Sequence, residues 1–238
     1  LGIDPDKIKL VMNDTAITPN SGPAGGSRSQ VMTGNAIRVA CEKLLEGMKK
    51  EDGGYRTYDE MVAGDLPLHY EGQWASTMNS NCDAETAQGN PFAVYMYGVF
   101  LTEVAVEVAT GETTVEKIVV AADIGNINNQ LVVDGKIYGG VAQGIGLALS
   151  EDFEDLKKHT SMVACGIPEI KDIPDNSELI YVETPREHGP FGAAGVGELP
   201  LTSPHVAVVN AIYNATGVRV RDLPALPEKV LAGLKAKA

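Results

Sequence analysis

Glu198 stands in the stretch GPFGAAGVGELPLTSPH, residues 189–205, with Gly195, Gly197 and Pro200 as near neighbours, so little side-chain bulk surrounds its carboxylate. Small flanking residues admit the close approach of another molecule. An enclosure of that kind desolvates a carboxyl group, raises its pKa and suits it to act as a general base. The same residue also reads as an acidic group ahead of a helix starting near Thr202, where it favours the positive end of the helix dipole. Spacing alone leaves both readings open.

The loop SGPAGGSRSQ, residues 21–30, is the second candidate. Its glycines let backbone N–H groups approach an anion, and the helix expected after it adds a favourable field. The pattern matches neither the P-loop nor the full dinucleotide fingerprint, and Gly and Ser also serve simply to turn a loop and cap a helix. Gln143 in VAQGIG is a third candidate, since an amide beside glycines can donate to a phosphate or carbonyl oxygen, although a helical Gln is as readily a solvated surface residue. His69, His159, His188 and His205 show no metal-ligand spacing, and the acidic residues form no calcium loop. No G-x-S-x-G turn offers a serine nucleophile. Cys41, Cys82 and Cys165 contain no C-x-x-C pair, which argues against a disulfide framework and against zinc or iron–sulfur ligation by these residues, and fits a reducing, cytoplasmic setting.

These groups need elements to hold them. The stretch KIKLVMN, residues 7–13, is rich in β-formers and runs into the Gly/Pro/Ser loop. Ile37, Cys41, Leu44, Leu45 and Met48 recur at three- and four-residue spacing, which predicts a helix over 29–50 with Lys49 and Lys50 at its negative end. Breakers punctuate 51–91, leaving room for a short helix at 58–63 and a strand over 68–76. Two alternating apolar runs around ATGETT predict an antiparallel hairpin turning at Thr110 and Gly111. The run KIYGGVAQGIGLALSEDFEDL keeps helical spacing despite its glycines, each costing about 1 kcal/mol against alanine, so that helix should lie tightly on another backbone or a ligand. A strand at 178–184, a helix with Thr202 or Ser203 as cap and Gly217 at its end, a short strand at 218–224 and a closing helix complete the pattern. Strands and helices without a regular βαβ rhythm indicate an α+β fold with a mixed or antiparallel sheet.

The 238 residues suffice for one large domain or two modest ones, and the balance of 44% hydrophobic to 21% charged residues is that of a folded globular protein. A net charge of −13 with scattered Lys and Arg argues against a nucleic-acid partner. The longest apolar run, VYMYGVFL, is far short of the roughly 20 residues a membrane span needs. The opening LGIDPDKIKLV carries no Met and no signal-peptide pattern, which suggests a piece of something longer.

In order along the chain, GGSRSQVMTGNAI, KIVVAADIGNINNQLVVDGKIYGGVAQGIGLALSED and GPFGAAGVGELPLTSPHVAVVNAIYNATGVRVRDLPALPEKV resemble the C-terminal part of the molybdenum-binding subunit of the xanthine oxidase family. The likeness is strongest to its bacterial aldehyde oxidoreductases, because Leu199 follows Glu198. The resemblance implies a molybdopterin cofactor, as its cytosine dinucleotide in bacteria, whose dithiolene holds molybdenum with no protein side chain as ligand. It implies that Gly25, Gly26, Ser27, Arg28 and Gln30 hold this cofactor, and that Gln143 lies on a second contacting segment. Glu198 then matches the family's general base, taking the proton of a molybdenum-bound hydroxyl as its oxygen attacks the substrate carbon and a hydride passes to the metal's terminal ligand. The implied substrate is an aldehyde, oxidised to a carboxylic acid, or a heterocycle. Residues 1–238 would be the distal part of the molybdopterin-binding region of a molybdenum hydroxylase, with iron–sulfur domains and the rest of the molybdenum subunit as partners elsewhere. An exposed apolar face is expected where that missing half docks. A competing expectation is non-catalytic: an assembly or ligand-binding module of the same fold that docks to a partner subunit.

Overall fold

The computed structural model describes residues 4, 6, 9, 11, 14–76 and 80–237, so the strand read over 7–13 falls largely outside the described residues. Two compact units emerge, one made of the chain up to Val94 together with Arg186–Ala194, the other of Tyr95–Pro185 and the chain from Gly195 onward.

The first unit is built on helix α1 (Ser29–Met48) and the one-and-a-half-turn helix α2 (Tyr58–Ala63). Helix α2 starts where Thr57 and Glu60 form a capping box: the Glu60 N–H donates to Thr57 Oγ1 at 3.2 Å and the Thr57 N–H to Glu60 Oε2 at 2.7 Å. The Thr57 N–H and the Lys50 ammonium, 2.9 Å from Glu60 Oε1, hold the Glu60 carboxyl below its ordinary pKa. Ile37, expected on the apolar stripe of α1, is exposed, and Val31, Asn35 and Met48 are the buried positions. The strand read over 68–76 does not form. That segment lies along α1 instead: a Cβ at Gly72 would strike the backbone of Ala36 and Ala40, and Lys43 Nζ donates to the Glu71 carbonyl at 2.7 Å. Backbone laid against a helix is not ladder-paired to another strand.

In the second unit, strands β1 (Tyr97–Val106), β2 (Thr113–Asp123) and β3 (Ser177–Val182) form a sheet in that order. β1 and β2 pair antiparallel around the expected turn, where Gly111 takes a φ of 82° that suits glycine, and β3 joins β2 in parallel. The sheet is therefore mixed. Helices α3 (Gln130–Leu149), α4 (Pro204–Thr216) and α5 (Pro227–Lys235) complete the unit. Period-two alternation sends Ile118, Val120 and Ala122 of β2 inward to meet Val133, Ile137, Val141 and Ile145 of α3, Val208 and Ile212 of α4 and Val230 of α5 in one core. The α+β reading holds.

Two boundaries differ from the sequence pattern. Helix α3 stops at Leu149 rather than continuing toward Leu156, because Ser150 leaves helical geometry and its Oγ donates to the Gly166 carbonyl at 2.6 Å. Residues 218–224 form no strand. There Lys229 Nζ donates to the carbonyls of Asp222 and Pro224 at 3.0 and 2.9 Å, giving those acceptors the partners that a neighbouring strand would otherwise supply.

Candidate cofactor and catalytic site

Glu198 is positioned by the turn on its C-terminal side. Leu199–Leu201 form a single 3-10 turn, in which the Leu201 N–H donates to the Glu198 carbonyl at 3.2 Å and Leu199 and Pro200 are buried. A Cβ at Gly140 of α3 would lie 2.7 Å from Pro200, and one at Gly144 would lie 2.6 Å from Pro204, the first residue of α4. Two glycines one turn apart on α3 thus seat two prolines four residues apart, so the glycine-rich helix does lie tightly on another backbone. The matching four-residue spacings in the two stretches were the sequence signal for this contact.

The Glu198 side chain is exposed among the described residues. It does not lie in the first turn of α4, which begins at Pro204 and carries no acidic residue there. The helix-dipole reading fails, because the 3-10 turn intervenes. Ser203 occupies the N-cap without a capping side-chain hydrogen bond to the helix, while Thr202 Oγ1 donates back to the Leu199 carbonyl at 2.8 Å and Gly217 ends the helix with a φ of 70°.

Gln143 lies exposed on α3. One and two turns before it, Gly139 and Gly135 face open space, where an added Cβ would meet nothing. The buried ring Nδ1 of His205, at the start of α4, has no hydrogen-bond partner among the described residues. A loop at the end of β2 is held from two sides: Asp123 Oδ1 accepts from Gly125 and Thr184 N–H groups, each at 3.2 Å, and Glu183 Oε2 accepts from the Ile127 N–H at 2.7 Å.

In the first unit, Gly26 and Ser27 take left-handed φ values of 65° and 56°, and Arg28 returns to right-handed geometry as the N-cap of α1. Reversals of this kind turn successive N–H groups toward one concave side, an arrangement that suits anions. Gly25 and Gly26 face open space, no acidic residue occupies the first turn of α1, and the Arg28 guanidinium lies over Gly22. Gln30 is half-buried near Gly34. Asn35, which hydrophobic periodicity passes over, is buried; its Nδ2 donates to the His188 carbonyl at 2.9 Å, and Pro190 packs on Gly34. These contacts hold the segment Arg186–Ala194 to α1. No sequence signal marked it, since the apolar stripe read for this helix begins at Ile37.

Among the described residues, no group of three or more His, Cys, Asp or Glu side chains could hold a metal ion. The features that fit a ligand are N–H groups, amides and glycine-lined space, which suit a phosphate-bearing organic group.

The model of the molybdopterin cofactor-binding domain matches residues 1–174. The chain belongs to this family. It is similar to the aldehyde oxidoreductase of Megalodesulfovibrio gigas, 62% identical over 236 residues, which is 99% of this chain and 26% of that protein. Among solved structures it superposes on aldehyde oxidoreductase from Desulfovibrio gigas with a TM-score of 0.94, covering 98% of this chain and 26% of the other. The enzyme of the same name from Desulfovibrio desulfuricans gives a TM-score of 0.92 at 68% identity, covering 98% of this chain and 25% of the other. The chain therefore spans about a quarter of the length of those relatives. The resemblance read from three motifs extends over nearly the whole sequence.

Proposed function

We propose that the chain is the distal, base-supplying part of a molybdenum hydroxylase that oxidises an aldehyde to a carboxylic acid, or hydroxylates a heterocycle. The observation that carries this reading is the seat of Glu198: an exposed carboxylate on a turn locked to α3 through Pro200 and Gly140, on the helix that also presents Gln143. The 62% identity to an aldehyde oxidoreductase supports the aldehyde as substrate.

A molybdopterin, which we take to be the cytosine dinucleotide, supplies two-electron redox chemistry when bound. Gly25, Gly26, Ser27, Arg28 and Gln30 hold it through loop N–H groups and the positive end of α1, and Gln143 offers an amide beside Gly139 and Gly135. The Glu198 carboxylate accepts the proton released as the substrate carbon gains oxygen. Charge develops only as that proton leaves, so a placed base acts on the transition state, typically by a factor of about 10² to 10⁴. The water exclusion that tunes such a base comes from parts of the enzyme beyond this chain, because Glu198 is exposed in it. Those parts carry the iron–sulfur clusters and the rest of the molybdenum subunit. Cys41, Cys82 and Cys165 are free thiols, which supports a cytoplasmic setting, and no helix among the described residues is long and apolar enough to cross a membrane.

The test is elemental and pterin analysis of the protein purified with its natural partners. About one molybdenum per copy is expected if the anion-suited loop serves the cofactor. Complete absence of molybdenum and pterin would sink the reading in favour of a docking module.

A further inference from the structure

The outer face of the three-stranded sheet is apolar at one end. Val99 and Leu101 of β1 point away from the core and are 59% and 62% exposed; Ile180 and Val182 of β3 are 44% and 53% exposed. The register makes them neighbours. Val99 pairs with Ala121 and Leu101 with Val119 on β2, while Ala121 pairs in turn with Ile180. A single apolar surface therefore crosses all three strands. It stops at a charged row that runs diagonally: Glu103 pairs with Lys117, whose Nζ lies 3.6 Å from Glu178 of β3, the residue paired with Val119. Beyond that row β1 offers only exposed Ala105 on the same face.

Parallel strands are rarely left bare on one side, and the bare strip here includes the parallel β2–β3 pair. Contiguous apolar surface rimmed by charge marks an interaction site. We propose that this face, up to the row Glu103–Lys117–Glu178, packs against the part of the molybdenum enzyme that lies outside the region this chain matches in its relatives. Two observations choose that occupant. The related chains hold about three quarters of their length beyond the matched region, whether judged by sequence or by structure. A second copy is disfavoured by long-range repulsion, since each chain carries a formal net charge of −13. The inference rests on the reading of the chain as one component of a longer molybdenum enzyme.

The test uses that complete enzyme. Val99→Cys carrying a short photo-activated cross-linker is expected to join to peptides outside the matched region. Cross-links to a second copy of these residues, to the unit built on α1, or to nothing would overturn the proposal. Leu101→Lys, inside the patch, is expected to lower the yield of assembled enzyme several-fold, while Ala105→Lys, beyond the charged row, leaves the yield unchanged. Equal effects from the two substitutions, in either direction, would also overturn it. Cross-linking does not depend on turnover: an enzyme that keeps the cross-link but contains no molybdenum would reject the proposed chemistry and leave the docking face standing.

Discussion

Asn35 and Glu198 show how differently single residues can be read. The small neighbours of Glu198 were visible in sequence, but its exposure was not, because exposure depends on what packs nearby in space. That the carboxylate precedes a buried 3-10 turn, rather than heading α4, likewise depends on Pro200 meeting Gly140. Asn35 was invisible to periodicity and is the buried polar residue of α1. Asn35→Ala leaves the His188 carbonyl without its donor and is expected to cost about 1–3 kcal/mol, read as a lower denaturation midpoint. Glu151 tests the pH side. Burial raises its carboxyl pKa above 4.5, so the folded state favours the protonated form; the resulting stability is present in acid and lost as pH rises through the folded value. Glu151→Gln is accordingly expected to raise the melting temperature at pH 7 and to leave it nearly unchanged in acid.

At the level of elements, the long helices and the hairpin were legible because each carries its own periodicity and punctuation: the Asn129 cap and apolar stripe of α3, and Gly111 between β1 and β2. The strands read over 68–76 and 218–224 failed because β-forming composition says nothing about whether a partner strand is at hand. There α1 and Lys229 took the places of partners. The glycines of α3 divide into two sets with opposite expected behaviour. Gly144→Ala must displace Pro204 and is expected to destabilise by about 1–3 kcal/mol. Gly139→Ala meets nothing and is expected to stabilise α3 by about 0.5–1 kcal/mol, while lowering molybdenum retention in the complete enzyme. Calorimetry and metal analysis on the same two variants check both.

For the whole molecule, composition and motif order identified class and family, whereas the division into two units followed from contacts that no local pattern encodes. The segment Arg186–Ala194 is distant in sequence from α1 yet belongs with it, through Asn35 and Gly34. The net charge of −13 also acts at this scale. Self-repulsion among surface carboxylates is screened by salt, so raising ionic strength from about 0.01 to 0.15 M, which shortens the Debye length from about 30 to 8 Å, is expected to raise the melting temperature.

The most direct measurement is turnover by the complete enzyme carrying Glu198→Gln, with molybdenum content measured on the same sample. Loss of a proton-accepting carboxylate without loss of the amide-sized side chain is expected to slow turnover by about 10²-fold or more at near-normal molybdenum content. Unchanged turnover at full molybdenum loading would contradict the role assigned to Glu198.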